Sequence, residues 1–135
     1  MPLSTRLHEA PIRVRYAETD AAGIAHHAAY LPWLEVGRVE WLRAAGLSYR
    51  DLEASGYSLP VIDLRVRYVA PVHFDDRLLI RTGLIDLRSR SLRFVYEIVS
   101  AAAHPRQLAN GMTRHVCVAR GNISPLPPEL RALGE

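Results

Sequence analysis

Residues 28–46 read AAYLPWLEVGRVEWLRAAG. Tyr30, Trp33, Leu34, Trp41, Leu42 and Ala45 recur at three- and four-residue steps with Gly37 among them, while Glu35, Arg38, Glu40 and Arg43 fall on the other side. That is the period of one long amphipathic helix from about Ala28 to Ala45, ended by Gly46. Gly37 has a packing reading, because a residue without a side chain lets the helix axis approach what covers it. Pro32 removes an amide inside the first turns and disfavours helix at Leu31, so the helix either kinks there or starts later.

An apolar stripe of this length must be buried, and the rest of the chain supplies one partner large enough. Upstream, Ile12, Val14 and Tyr16 alternate with Arg13 and Arg15, the period of a half-buried strand over residues 12–16. The segment AETDAAGIAHH then reads as a loop. Downstream, a short helical piece from Tyr49 to Ser55 ends at Gly56, and the period changes to two. Ile62, Leu64, Val66 and Tyr68 form one strand, Leu78, Ile80, Thr82 and Leu84 a second, and Leu92, Phe94, Tyr96 and Ile98 a third. A last strand runs from about Leu108 to Arg120 after the His104–Pro105 turn. Short connections make successive antiparallel pairing the expected order, with the sheet curved round the helix. The tail ISPLPPELRALGE is too rich in proline to extend the sheet and is expected to lie loosely on the surface.

At 135 residues, 49% hydrophobic and 23% charged, the chain is one domain with a core of its own, far from the composition of disorder. No apolar run approaches the ~20 residues that cross a bilayer. The single cysteine, Cys117, can form no internal disulfide and lies between Val116 and Val118 as an inert strand residue. The N-terminal stretch has no unbroken apolar run of the signal-peptide kind, so a cytoplasmic protein without a membrane partner is expected. The formal charge is +3, and all seventeen basic residues are arginine, whose planar fork suits phosphate and carboxylate. They stand one by one along alternating strands, which argues against nucleic acid as a partner.

The run Arg15, Tyr16, Ala17, Glu18, Thr19, Asp20, Ala21, Ala22, Gly23, Ile24, followed by His27, Tyr30, Glu35 and Arg38, resembles the signature of the 4-hydroxybenzoyl-CoA thioesterase family. It is most similar to the Tol-Pal-cluster branch, which has a tyrosine, two or three residues, Thr-Asp, two residues, Gly, and a His before the helix. The resemblance continues through Arg67, Tyr68, Ala70, Pro71, Asp75 and Asp76 and ends in the PLP element at Leu126, so it covers nearly the whole chain. It implies an α+β hotdog fold, a five-stranded antiparallel sheet wrapped on one long central helix, associating as a homodimer or homotetramer. It also implies hydrolysis of short-chain or aromatic acyl-coenzyme A thioesters with no metal and no cofactor. The family's catalytic aspartate matches Asp20, and the backbone amide that polarises the thioester carbonyl matches His27. Gly23, Ile24 and Tyr30 fall where substrate lies, and the turn Arg88, Ser89, Arg90, Ser91 falls where relatives bring polar groups to the pyrophosphate.

These residue types suit that chemistry. A thioester carbonyl is electrophilic and its thiolate leaves with little help, so one carboxylate and one oxyanion site suffice. Asp20 can serve as nucleophile or as general base for water, and the first amides of a helix point their dipole at a developing oxyanion. The rival for Asp20 is a turn former beside glycine; for Glu35 it is an ion pair with Arg38. His26 and His27 are adjacent and lack a second ligand pair, which argues against a metal. Three alternatives stay open or are set aside at this stage. A hydratase of the same fold has its His five residues after the Asp, whereas here the histidines come six and seven later. Action on acyl-carrier-protein thioesters and a non-catalytic acyl-CoA-binding module remain.

Overall fold

The computed structural model describes residues 7–134. In chain order these form strand β1 (Leu7–Arg13), helix α1 (Tyr30–Ala44), helix α2 (Tyr49–Ala54), and strands β2 (Tyr57–Ser58), β3 (Val61–Tyr68), β4 (Arg77–Ile85), β5 (Ser91–Ser100) and β6 (Gln107–Val116). Strands β7 (Val118–Ala119) and β8 (Asn122–Ile123) and helix α3 (Pro128–Arg131) complete it. One five-stranded antiparallel sheet has the order β1-β4-β5-β6-β3, and a small sheet joins β2, β7 and β8. Helix α1 lies across the large sheet's inner face, which makes this a hotdog fold.

The helix buries the stripe its sequence announces: Tyr30, Trp33, Leu34, Gly37, Trp41 and Leu42. Opposite them stand the inward residues of the sheet, among them Leu78, Ile80 and Leu84 on β4 and Leu92, Phe94 and Ile98 on β5. Gly37 is where axis and sheet come closest. A Cβ there would lie 2.7 Å from Ile80 Cγ2 and closer still to Thr82 Oγ1, so any side chain would push the helix off β4. Pro32 does not kink the helix. It is the third residue of α1, where its missing N–H is one of the unpaired four, and a 3-10 turn at His27–Ala29 leads into it.

Several expectations are corrected. The first strand ends at Arg13, and the chain then breaks into a 3-10 turn at Tyr16–Glu18 that leaves Tyr16 76% exposed against Phe74. Successive pairing fails because β4 has only two edges: β5 takes one and β1 the other, so β3 must take the free edge of β6. The last strand stops at Val116, because the Cys117 amide turns to the carbonyl of Arg90 and the chain passes at Val118 into the small sheet, where Arg120 and Gly121, both at positive φ, turn β7 into β8. Cys117 is therefore a fully buried residue between two strands. The tail is not loose, since Leu126 and Leu130 are 1% and 0% exposed and the Leu126 amide donates to the carbonyl of Ser89 at 2.8 Å. Glu35 does not pair with Arg38 among the described residues; Arg38 turns inward toward Tyr96 and His115, and Glu40 pairs with Arg43 instead. Burial, together with the Arg38 charge, lowers the pKa of His115 to about 4, and its ring bridges Leu59 O and Thr113 Oγ1 as a neutral core residue. No helix among the described residues is long and apolar enough to cross a membrane.

Candidate active site

The loop from Thr19 to Ala25 is a tight hairpin. Thr19 and Ala25 bridge, the Asp20 amide donates to Ile24 O at 2.9 Å, and the Gly23 amide donates to Asp20 O at 3.0 Å. Gly23 takes φ +83°, which a side chain rarely tolerates, and Asp20 Oδ1 accepts the Ala22 amide at 2.8 Å. The turn-forming reading of Asp20 is thus satisfied by one carboxylate oxygen, and Oδ2 has no partner among the described residues.

What fixes this hairpin against the fold is Glu18, a residue that sequence reasoning quoted and gave no role. It is 7% exposed. Its Oε1 accepts the Arg15 amide at 2.7 Å, its Oε2 accepts the indole N–H of Trp33 at 2.9 Å and the Arg15 guanidinium at 3.3 Å. Its carbonyl accepts the His26 amide at 3.0 Å. Burial alone would raise its pKa, but those donors outweigh it and hold the carboxyl below its ordinary value. The loop's other side is laced to the strand connection by the Ala25 amide on Val72 O at 2.7 Å and by a bridge from Ile24 to His73.

Between hairpin and helix opens a cleft of about 380 Å³ lined by Asp20, Ile24, Ala25, His27, Tyr30, Tyr68 and Val69 to Pro71. Four of the expected site residues, Asp20, Ile24, His27 and Tyr30, meet here. Gly23 does not line it; it shapes the hairpin tip. The amides of His27 and Ala28 take no backbone partner among the described residues, while that of Ala29 is held by His26 O. Tyr68, which sequence reasoning placed in a strand and in the family resemblance without a site role, donates its hydroxyl to His27 O at 2.7 Å and packs edge-on against Tyr30 at 4.8 Å. Burial and the neighbouring Tyr68 raise the Tyr30 phenol, so it stays protonated.

The Arg88–Ser91 turn is not brought to this cleft in the same subunit. It follows Ile85 at the far end of β4, about 27 Å from Arg77 at ~3.4 Å per residue, and its backbone is engaged by Cys117 and Leu126.

The Thioesterase-like superfamily profile matches residues 14–133 of this geometry's sequence. The chain belongs to the Thioesterase-like superfamily. It is 38% identical over 99 residues to the acyl-CoA thioester hydrolase YbgC of Escherichia coli O6:H1, covering 73% of this chain and 74% of that one. Among solved structures, the hypothetical protein TT1821 of Thermus thermophilus superposes with a TM-score of 0.88 at 37% identity, covering 93% of this chain and 95% of that one. The 1,4-dihydroxy-2-naphthoyl-CoA thioesterase Slr0204 of Synechocystis gives 0.85 at 27% identity, with 94% of each chain covered. The superfamily relationship spans the Asp20 hairpin, the helix and the tail alike.

Proposed function

We propose that the chain hydrolyses short-chain or aromatic acyl-CoA thioesters to free acid and CoA, with Asp20 as the reacting carboxylate. The observation that carries this is the free Oδ2 of Asp20 on one wall of a cleft that His27, whose amide has no backbone partner among the described residues, also lines. In the general-base form, Asp20 takes a proton from water as its oxygen bonds to the thioester carbonyl. The oxyanion rests against the helix amides, and collapse breaks the C–S bond and releases the thiolate. In the nucleophilic form, Asp20 itself makes the new C–O bond, giving an anhydride that water opens. Ile24, Tyr30, Tyr68 and Val69 give the acyl group apolar and aromatic walls. The Synechocystis relative, named for an aromatic acyl-CoA, supports this acyl class.

A panel of short-chain, long-chain and aromatic acyl-CoAs assayed for thiol release is expected to show turnover with the short-chain and aromatic members. Silence on every member would leave a binding module without chemistry.

We further propose a homodimer or homotetramer in the cytoplasm. β3 is a sheet edge whose inward Leu64 and neighbouring Ile62 are 41% and 55% exposed, an apolar edge that a second copy would cover. Light scattering at micromolar concentration is expected to give at least twice the chain mass; a monomer peak would refute the proposal.

A further inference from the structure

The two peptide units on either side of His27 have their carbonyls engaged and their N–H groups free of the backbone. His26 O accepts the Ala29 amide at 2.9 Å, and His27 O accepts the Tyr68 hydroxyl at 2.7 Å. The amides of His27 and Ala28, at the other ends of the same units, have no backbone partner among the described residues. Neither His26, before the 3-10 turn, nor Ala29, before α1, makes a side-chain cap. The turn is therefore held from elsewhere in the fold. Glu18 O takes the His26 amide at 3.0 Å from the hairpin side, and Tyr68 takes His27 O from the sheet side.

Tyr68 is placed to reach that carbonyl. It is the last residue of β3 and stands opposite the buried Ala109 of β6, so its side chain lies on the helix side of the sheet. Its ring meets Tyr30 edge-on at 4.8 Å and 88°. Tyr30 packs at 4.8 Å on Trp33, whose indole N–H is bound by Glu18. One aromatic series thus runs from the residue that fixes the Asp20 hairpin to the hydroxyl that fixes the helix entry. With 48% of its surface exposed, Tyr68 adds little to the core.

A peptide unit is planar, so a hydrogen bond at its oxygen also fixes where its N–H points. An O–H donor at the carbonyl draws electron density toward oxygen and leaves the N–H across the C–N bond a stronger donor. Donors that meet a developing oxyanion are effective because they are oriented before the charge arrives.

We propose that Tyr68 is a positioning residue for thioester hydrolysis: its hydroxyl, bound to His27 O, fixes the His27 turn and with it the amides that meet the oxyanion, and it makes no bond to the reacting atoms. This rests on the thioesterase reading for its reaction.

Tyr68→Phe removes the hydroxyl and keeps the ring against Tyr30, whereas Tyr68→Leu removes both. His27–Ala28 is the one His-Ala sequence in the chain, so isotope labels on histidine carbonyl carbon and alanine nitrogen give a single carbonyl-to-amide NMR correlation, that of this peptide. In Tyr68→Phe the His27 carbonyl carbon is expected to move upfield, with a melting temperature within about 4 °C of wild type. Its kcat should fall roughly tenfold with KM inside about twofold, less than the ~10² to 10³ of deleting a donor, because the amides remain and only their setting is lost. Tyr68→Leu should lose at least as much kcat and also raise KM, since a wall of the cleft goes with the ring.

Three results would each overturn the proposal. An unmoved carbonyl resonance in Tyr68→Phe means that the hydroxyl does not hold His27. A moved resonance with kcat unaltered leaves a contact of the fold with no part in the reaction. KM rising at constant kcat makes Tyr68 a wall of the acyl pocket and nothing more. Wild type silent on every acyl-CoA ends the thioesterase reading and the positioning role together, whereas wild-type turnover with an indifferent Tyr68→Phe ends the positioning role alone.

Discussion

Asp20→Asn is expected to lower kcat by about 10² to 10⁴ with KM little changed, the range for losing a positioned acid, base or nucleophile. The substitution is informative because of the bond at Asp20 Oδ1. An asparagine oxygen can still accept the Ala22 amide, so the hairpin keeps its turn while the charge and the second oxygen's basicity are lost. A rate loss in a variant with wild-type melting behaviour therefore belongs to chemistry. Asp20→Ala removes both roles and should add a stability loss. Glu35→Gln is the control: Glu35 is exposed, carries no ion pair among the described residues, and faces a separate hollow between α1 and α2, so its rate should change no more than a few-fold. Collapse of Glu35→Gln with Asp20→Asn intact would move the chemistry to the helix.

Glu18→Ala should have the largest effect on stability. It strands the Arg15 amide and the Trp33 indole N–H, and a buried donor left without an acceptor costs about 1–3 kcal/mol. A combined loss of roughly 2–5 kcal/mol would lower Tm by on the order of 10 °C. Activity should fall with it, because the loop bearing Asp20 hangs from this side chain. The pH dependence has a definite sign. A carboxyl whose folded pKa lies below its ordinary 4.5 stabilises the fold above that value, and the contribution is lost as pH falls through the folded pKa. Urea melts of wild type should therefore weaken steeply with acid below pH 4.5, and those of Glu18→Gln less so. Parallel acid limbs in the two proteins would remove Glu18 from this role.

The elements that were legible in the sequence are those whose signal is local. The stripe of α1, the alternation of β4 and β5 and the short helix α2 ended by Gly56 depend on neighbours a few residues apart. Strand order was not legible, because alternation says which face of β3 is apolar and not which of two free edges will receive it. The tail misled for a related reason: proline in PLPP excludes sheet hydrogen bonding, yet leaves Leu126 and Leu130 free to be buried. At the site, Asp20, Ile24, His27 and Tyr30 sit close in sequence and proved close in space. Tyr68 reaches the cleft only because β3 ends beside the start of α1, and no spacing along the chain records that.

The strand order also governs how the chain emerges from the ribosome. β1 has no partner until β4 exists, and at roughly 5–20 residues per second the stretch from Arg13 to Arg77 takes about 3 to 13 s to synthesise. β3 waits likewise for β6, and Leu126 and Leu130, which close the core, come last. Helix α1 depends on local contacts and can form early. During translation the residues of α1, with Trp33, Leu34, Trp41 and Leu42 on their apolar stripe, therefore precede every strand that packs against them except β1. For the first half of its synthesis the chain carries the helical side of its core without most of the sheet that buries it.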